Sequence, residues 1–180
     1  RNNHKSQHHG ALVLAGAIPI YLPSDRNLYG LIGPLDEAAL AESALRAQIR
    51  AHPLVNDPDA WRRPRPFRLA VLQTCSYDGT MYDIARIVDR IGHLCDYLLL
   101  DEAWAGFMKF HPVYRGRFGM GLDGLDAEAP GIFVTQSTHK QLAGFSQASQ
   151  IHVKDAHLGA QSRRVQHRRF NESFLLHAST

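Results

Sequence analysis

Apolar and polar positions along this chain switch between two periods. Short, nearly continuous apolar runs at residues 18–22, 67–74, 97–100, 131–136 and 150–154 read as strands. Between them lie stretches with apolar residues at helical spacing. Ile84, Ile87, Val88 and Ile91 mark a helix over 81–94, and Asp36 is placed to cap another that runs to about Ala51. Residues 8–15 are helix-permissive, and 168–177 also read as helical. Gly30, Gly33 and Pro34 punctuate a loop, residues 52–66 form a proline-rich connection, and Ser76-Tyr77-Asp78-Gly79 is a turn. Continuously apolar strands alternating with helices predict an α/β fold with a buried, largely parallel sheet and helices on both faces. Ligands in such sheets bind beyond the carboxyl ends of the strands, which singles out residues 74–78, 101–104 and 137–140.

Composition narrows the class. The chain has 180 residues, 44% of them hydrophobic and 21% charged, a globular balance that excludes a disordered or fibrous protein. No apolar run approaches a membrane span, and Arg1-Asn2-Asn3-His4-Lys5 does not open a signal peptide. With no initiating Met, the chain is expected to begin inside a longer protein. Cys75 and Cys95 fall in core-like patterns and read as reduced, buried thiols of a cytoplasmic protein. A net charge of +3 is too small to imply nucleic acid.

Several motifs match known chemistry in form only. Gly119-Met120-Gly121-Leu122-Asp123-Gly124 fits G-x-G-x-x-G but has neither the preceding strand nor the following helix of a dinucleotide site. His4 and His8 stand one helical turn apart, as in zinc enzymes. Lys5 replaces the general-base Glu, so no metal is expected. Ser137-Thr138-His139-Lys140 fits the S-x-x-K of penicillin-binding enzymes, but the partner motifs S-D-N and K-T-G are absent. A serine acyl-transfer enzyme using Ser137 and Lys140 stays open as an alternative. The basic run 163–169 lacks interleaved aromatics and reads as a solvated surface or a subunit contact.

One constellation is more specific. Asp101 ends an apolar strand, with Ala103 and Trp104 next. Lys140 follows the next strand, 39 residues after Asp101, with Ser137 and His139 just before it. A pyridoxal phosphate enzyme needs these parts: an amine for the cofactor aldehyde, a carboxylate for the pyridine nitrogen, polar donors for the phosphate and flat or small side chains around the ring. The plainer alternative is that Asp101 caps a turn and Lys140 is a surface lysine.

The segments Arg1-Asn2-Asn3-His4-Lys5-Ser6, Ser76-Tyr77-Asp78-Gly79, Asp101-Glu102-Ala103-Trp104, 135–140, 145–152, 169–172 and 177–180 together resemble the bacterial ornithine/lysine/arginine decarboxylases, in that family's order over nearly the whole chain. The resemblance implies the aspartate-aminotransferase-like (fold type I) major domain of a pyridoxal-phosphate enzyme, with residues 1–180 forming part of it. It implies that Lys140 attaches the cofactor, Asp101 pairs with the pyridine nitrogen, His4 stacks on one ring face and Ala103 packs the other. Ser137 and His139 would contact the phosphate, Trp104 would line the pocket, and Ser179 or Thr180 would reach the phosphate of a second subunit in a homodimer. Ser76 stands where many relatives carry Thr, and the family's Gly/Ser/Thr phosphate loop would precede Arg1. The implied reaction is decarboxylation of a small basic amino acid. Residues 1–10, 131–136 and 165–167 look closest to the ornithine branch, with lysine or arginine as alternatives. A non-catalytic assembly fragment is the reading from another class; intact Lys140, Asp101, His4 and His139 argue against it.

Overall fold

The computed structural model describes residues 8–177. A helical turn at His8–Leu14 leads to a small antiparallel hairpin, β1 (Ser24–Arg26) with β2 (Ile32–Leu35). A 3-10 turn at Glu37–Leu40 precedes helix α1 (Glu42–Ala51). Strand β3 (Phe67–Gln73), helix α2 (Ile84–Ile91), strand β4 (Cys95–Asp101) and strand β5 (Gly131–Gln136) follow. The short helix α3 (Thr138–Gln141), strand β6 (Gln150–Lys154) and helix α4 (Ala160–His177) complete the chain.

The main sheet has the order β3-β4-β5-β6. The first three strands run parallel and β6 pairs antiparallel with β5, so the sheet is mostly parallel. Its register aligns the strand ends: Gln73 faces Asp101, and Asp101 faces Thr135. One face carries the core. Leu98 and Leu100 of β4 and Ile132 and Val134 of β5 are completely buried there, packed with Leu72 and with Ile84, Ile87 and Ile91 of α2. Spacings of three and four put those isoleucines on one side of α2, and Asp83 caps the helix by accepting the Arg86 N–H at 3.1 Å. On the other face Tyr97 packs against Phe133 at 5.2 Å between centroids, and Phe133 stacks on Phe170 of α4 at 5.8 Å. Helices therefore meet both faces, as the strand pattern predicts.

The structure departs from the sequence reading at several boundaries. Residues 18–22 form no strand: Pro19 has no N–H for a ladder. Their side chains instead line a cavity of about 750 Å3 along β3 that reaches Asp101. The helix expected over 81–94 is shorter, because Asp83 starts it and a 3-10 turn at Gly92–Leu94 ends it. The run expected from Asp36 is two elements, the 3-10 turn and then α1, and Asp36 accepts the Ala38 N–H at 2.9 Å. Strand β4 begins at Cys95 rather than at 97 and ends at Asp101. The tail helix starts at Ala160, well before 168. Its basic residues are partly ion-paired on the surface: Arg163 and His167 both reach Asp155, and Arg168 reaches Glu172. Cys75 and Cys95 are free and buried, and burial pushes the Cys95 thiol up to about 12.

Burial ranks two leucines on neighbouring strands. Leu98 is fully enclosed, whereas Leu69 on β3 is 42% exposed. In the full-length protein, Leu98→Ala is expected to lower stability by about 2–5 kcal/mol. Leu69→Ala should cost less than half as much. Chemical denaturation of both variants checks the ranking; equal losses would mean that β3 is covered as fully as β4.

Candidate active site at the carboxyl ends of the parallel strands

Parallel pairing gathers three chain segments at one end of the sheet. The Thr74 N–H donates to Asp101 O at 2.9 Å, and the Glu102 N–H donates to Thr135 O at 2.8 Å, so the pairing runs on past the last ladder residues. Asp101 is half-buried, and its Oδ1 accepts the Ala103 N–H at 3.0 Å. That bond fixes the carboxylate and leaves Oδ2 for a ligand. The fully buried carboxylate is its neighbour Glu102, which is 0% exposed. Residues in a strand alternate faces, so Glu102 shares the core face of Leu98 and Leu100 while Asp101 lies on the other.

Glu102 is held by neutral donors. Its Oε1 accepts the Gly119 N–H at 2.6 Å, and its Oε2 accepts Gln136 Nε2 at 2.9 Å. Gln136 Oε1 in turn lies 3.3 Å from His152 Nε2 on β6. Burial pushes the Glu102 carboxyl above its ordinary range, and the Gly119 and Gln136 N–H groups oppose that rise. The sequence reading missed Glu102, Gln136 and His152. A signal was present for the first: a charged residue in the same alternation phase as Leu98 and Leu100.

Beyond β5, Ser137 is half-buried and Lys140 is exposed. Lys140 Nζ stands 5.1 Å from the centre of the Trp104 ring, and Tyr77 meets that ring edge-on at 5.7 Å. The His139 Nδ1 lies 3.1 Å from the Ala148 N–H and 2.7 Å from Ala148 O, which leaves Nε2 for a ligand. Ser76 Oγ accepts the Thr80 N–H at 3.0 Å and closes the turn. No hydrogen bond joins Ser137 Oγ to Lys140 Nζ among the described residues, so the pairing a serine acyl-transfer enzyme needs is not made. The glycine loop holds a 3-10 turn, Gly119–Gly121, with no strand directly before it, in keeping with the rejection of a dinucleotide motif. Ala103 and Trp104 follow Asp101 in the turn after β4. His4, Ser179 and Thr180 lie outside the described residues. No group of three or more His, Cys, Asp or Glu among the described residues is placed to hold a metal ion, and no helix of theirs is long and apolar enough to cross a membrane.

Pyridoxal phosphate fits this donor set. A primary amine, a carboxylate and a hydroxyl stand at the carboxyl ends of adjacent parallel strands, beside an aromatic wall.

Fold and site together define a mostly parallel α/β domain with its chemistry at the strand ends. All of residues 1–180 match the family described as the Orn/Lys/Arg decarboxylase, major domain, and the chain belongs to that family. It is 53% identical over 180 residues to the inducible ornithine decarboxylase of Escherichia coli K12, covering 100% of this chain and 24% of that protein. Against the ornithine decarboxylase of Haemophilus influenzae it is 52% identical, with 100% and 24% covered. The solved structure of lysine decarboxylase A from Pseudomonas aeruginosa superposes with a TM-score of 0.84 at 40% identity, covering 100% of this chain and 23% of that one. The chain thus spans about a quarter of the length of these relatives.

The burial of Glu102 has a signed consequence. Its carboxyl is raised in the folded protein above the ordinary 4.5, so the folded state holds that proton more tightly than the unfolded chain. The resulting stability is fully present below 4.5 and is lost as pH rises through the raised value. Glu102→Gln should remove this component, so wild type minus variant stability should shrink as pH climbs from the acid side toward neutrality. Denaturation midpoints at several pH values check this; a constant difference would show that Glu102 titrates normally.

Proposed function

We propose that the full-length protein is a pyridoxal-phosphate-dependent decarboxylase of a basic amino acid, with ornithine as the substrate and putrescine as the product. The observation that carries the reading is the pairing of Asp101 with Thr135, five residues before Lys140, across adjacent parallel strands in a chain of the Orn/Lys/Arg decarboxylase family. Ornithine is favoured over lysine and arginine because ornithine decarboxylases are 48–53% identical, against 42% for a lysine decarboxylase and 38% for an arginine decarboxylase. In this reading residues 1–180 are part of the cofactor-binding major domain of aspartate-aminotransferase-like (fold type I) architecture. The working unit is a cytoplasmic homodimer in which Ser179 or Thr180 reaches the second subunit's site.

Pyridoxal phosphate, when bound, supplies an electron sink for the bond to the departing carboxylate. The chain's own residues do the rest. Lys140 Nζ would attach the cofactor, and the Trp104 ring face, 5.1 Å away, would hold its ammonium when it is free. Asp101, fixed at Oδ1 by the Ala103 N–H, would offer Oδ2 to the pyridine nitrogen and hold a proton there. Ser137 Oγ and His139 Nε2 would bind the phosphate. His4 and Ala103 would hold the ring. Trp104 would line the pocket, with Tyr77 edge-on against its ring.

Borohydride treatment of the cofactor-loaded, full-length protein should fix one pyridoxal phosphate on the peptide carrying Lys140, and ornithine should release carbon dioxide faster than lysine or arginine. Fixation on another lysine, or no preference for ornithine, would overturn the assignment. Asp101→Asn keeps the shape but removes the charge. It should lower kcat at least about 100-fold, roughly 2.7 kcal/mol, with a smaller change in cofactor affinity. Ser137→Ala should loosen the cofactor, through loss of a hydrogen bond to a charged group of about 1.5–3 kcal/mol, yet regain most turnover at saturating cofactor. If Ser137→Ala were inactive at every cofactor concentration, Ser137 would be a nucleophile and the acyl-transfer reading would return.

A further inference from the structure

Glu102 is fully buried, ionisable, and absent from the chemistry assigned above. A buried carboxylate without a cation is costly, so its retention needs a reason. Its surroundings supply one. The Glu102 backbone N–H is bound to Thr135 O at 2.8 Å, and its side chain spans from the Gly119 N–H at 2.6 Å to Gln136 Nε2 at 2.9 Å. Gln136 is the last residue of β5, directly before Ser137, and passes the link on to His152 of β6 at 3.3 Å. The glycine loop comes so close that a Cβ on Gly119 would lie 2.6 Å from both Leu100 Cδ1 and Val134 Cγ2. On the other side, a Cβ on Gly106 would meet Leu142 Cδ1 at 2.8 Å, so the turn after Glu102 also sits tightly on the segment that carries Lys140.

We propose that Glu102 is the positioning residue of this site. Its carboxylate ties the glycine loop to the end of β5 and thereby fixes where Ser137, His139 and Lys140 leave the sheet. The proposal rests on the cofactor reading above for what those three residues hold, but the clamp itself is a property of the chain. Both Glu102 oxygens accept from donors, and that polarity makes a decisive exchange available. In Glu102→Met both acceptor oxygens are lost, so both links break. In the double variant E102Q/Q136E the pattern is restored with the charge moved. The amide now at position 102 accepts from the Gly119 N–H and donates to the carboxylate now at position 136, and that carboxylate accepts from His152.

The test uses the full-length protein in two arms. In the cofactor-free protein, amide hydrogen exchange is followed at Gly119 and across 137–141. In the second arm, pyridoxal phosphate is titrated and its dissociation constant measured by absorbance. E102M should speed exchange in both segments and raise the dissociation constant at least about tenfold, the size of one hydrogen bond to a charged acceptor. E102Q/Q136E should return both to within about twofold of wild type, the usual error of additivity. Wild-type behaviour of E102M in either arm would overturn the proposal, since Glu102 would then be a core residue alone. A double variant as loose as E102M, or unfolded, would overturn it too. If E102M does not fold, the double variant decides by itself. If wild type takes up no cofactor at Lys140, the cofactor reading fails, and the exchange arm still decides the clamp.

Discussion

The in-register parallel pairing of β3, β4 and β5 is the constraint on which the site depends. β4 is enclosed by its neighbours, with Leu98 and Leu100 completely buried, and it cannot slip by one residue without turning that apolar face outward. This fixes Gln73, Asp101 and Thr135 in one row. The chain then leaves β4 and β5 at the same end of the sheet. Asp101, the last residue of β4, and Lys140, just past β5, are thus brought to the same end of the sheet, where α/β proteins bind their ligands.

The same alternation sorts two adjacent carboxylates. Asp101, on the half-open face, has one oxygen bound to the Ala103 N–H and the other available. Glu102, one residue on, turns into the core, and both of its oxygens are taken by Gly119 and Gln136. A single dipeptide thus contributes a group suited to a ligand and a group suited to holding the surrounding loops. The glycine of the loop is required by that arrangement, because no side chain fits between Leu100, Val134 and the Glu102 carboxylate.

Much of this could be read from the sequence. The three apolar runs at 67–74, 97–100 and 131–136 are strands because each is short, strongly apolar and free of an internal breaker. The placement of Asp101 and Lys140 at their ends followed directly. The stretch 18–22 misled because its apolar residues cover a cavity rather than join a sheet, which Pro19 forbids. Helix ends shifted because Asp83 and Asp36 cap nearer to, or further from, the periodic residues than spacing reveals. Glu102 was passed over although it shares the phase of the buried Leu98 and Leu100, because it lies just past the apolar run. Gln136 and His152 were invisible because their partners are Glu102, just past β4, and each other across the β5–β6 pair, and pairing partners are set by topology rather than by local pattern.

The central claim is that the end of β4 presents Asp101 to the pyridine nitrogen of a bound cofactor. The most direct measurement is the nitrogen-15 chemical shift of labelled pyridoxal phosphate in the full-length protein, in wild type and in Asp101→Asn. A protonated pyridine nitrogen in wild type and an unprotonated one in Asp101→Asn is the expected result. The same shift in both proteins would contradict the claim and leave Asp101 as a residue that only closes the turn after β4.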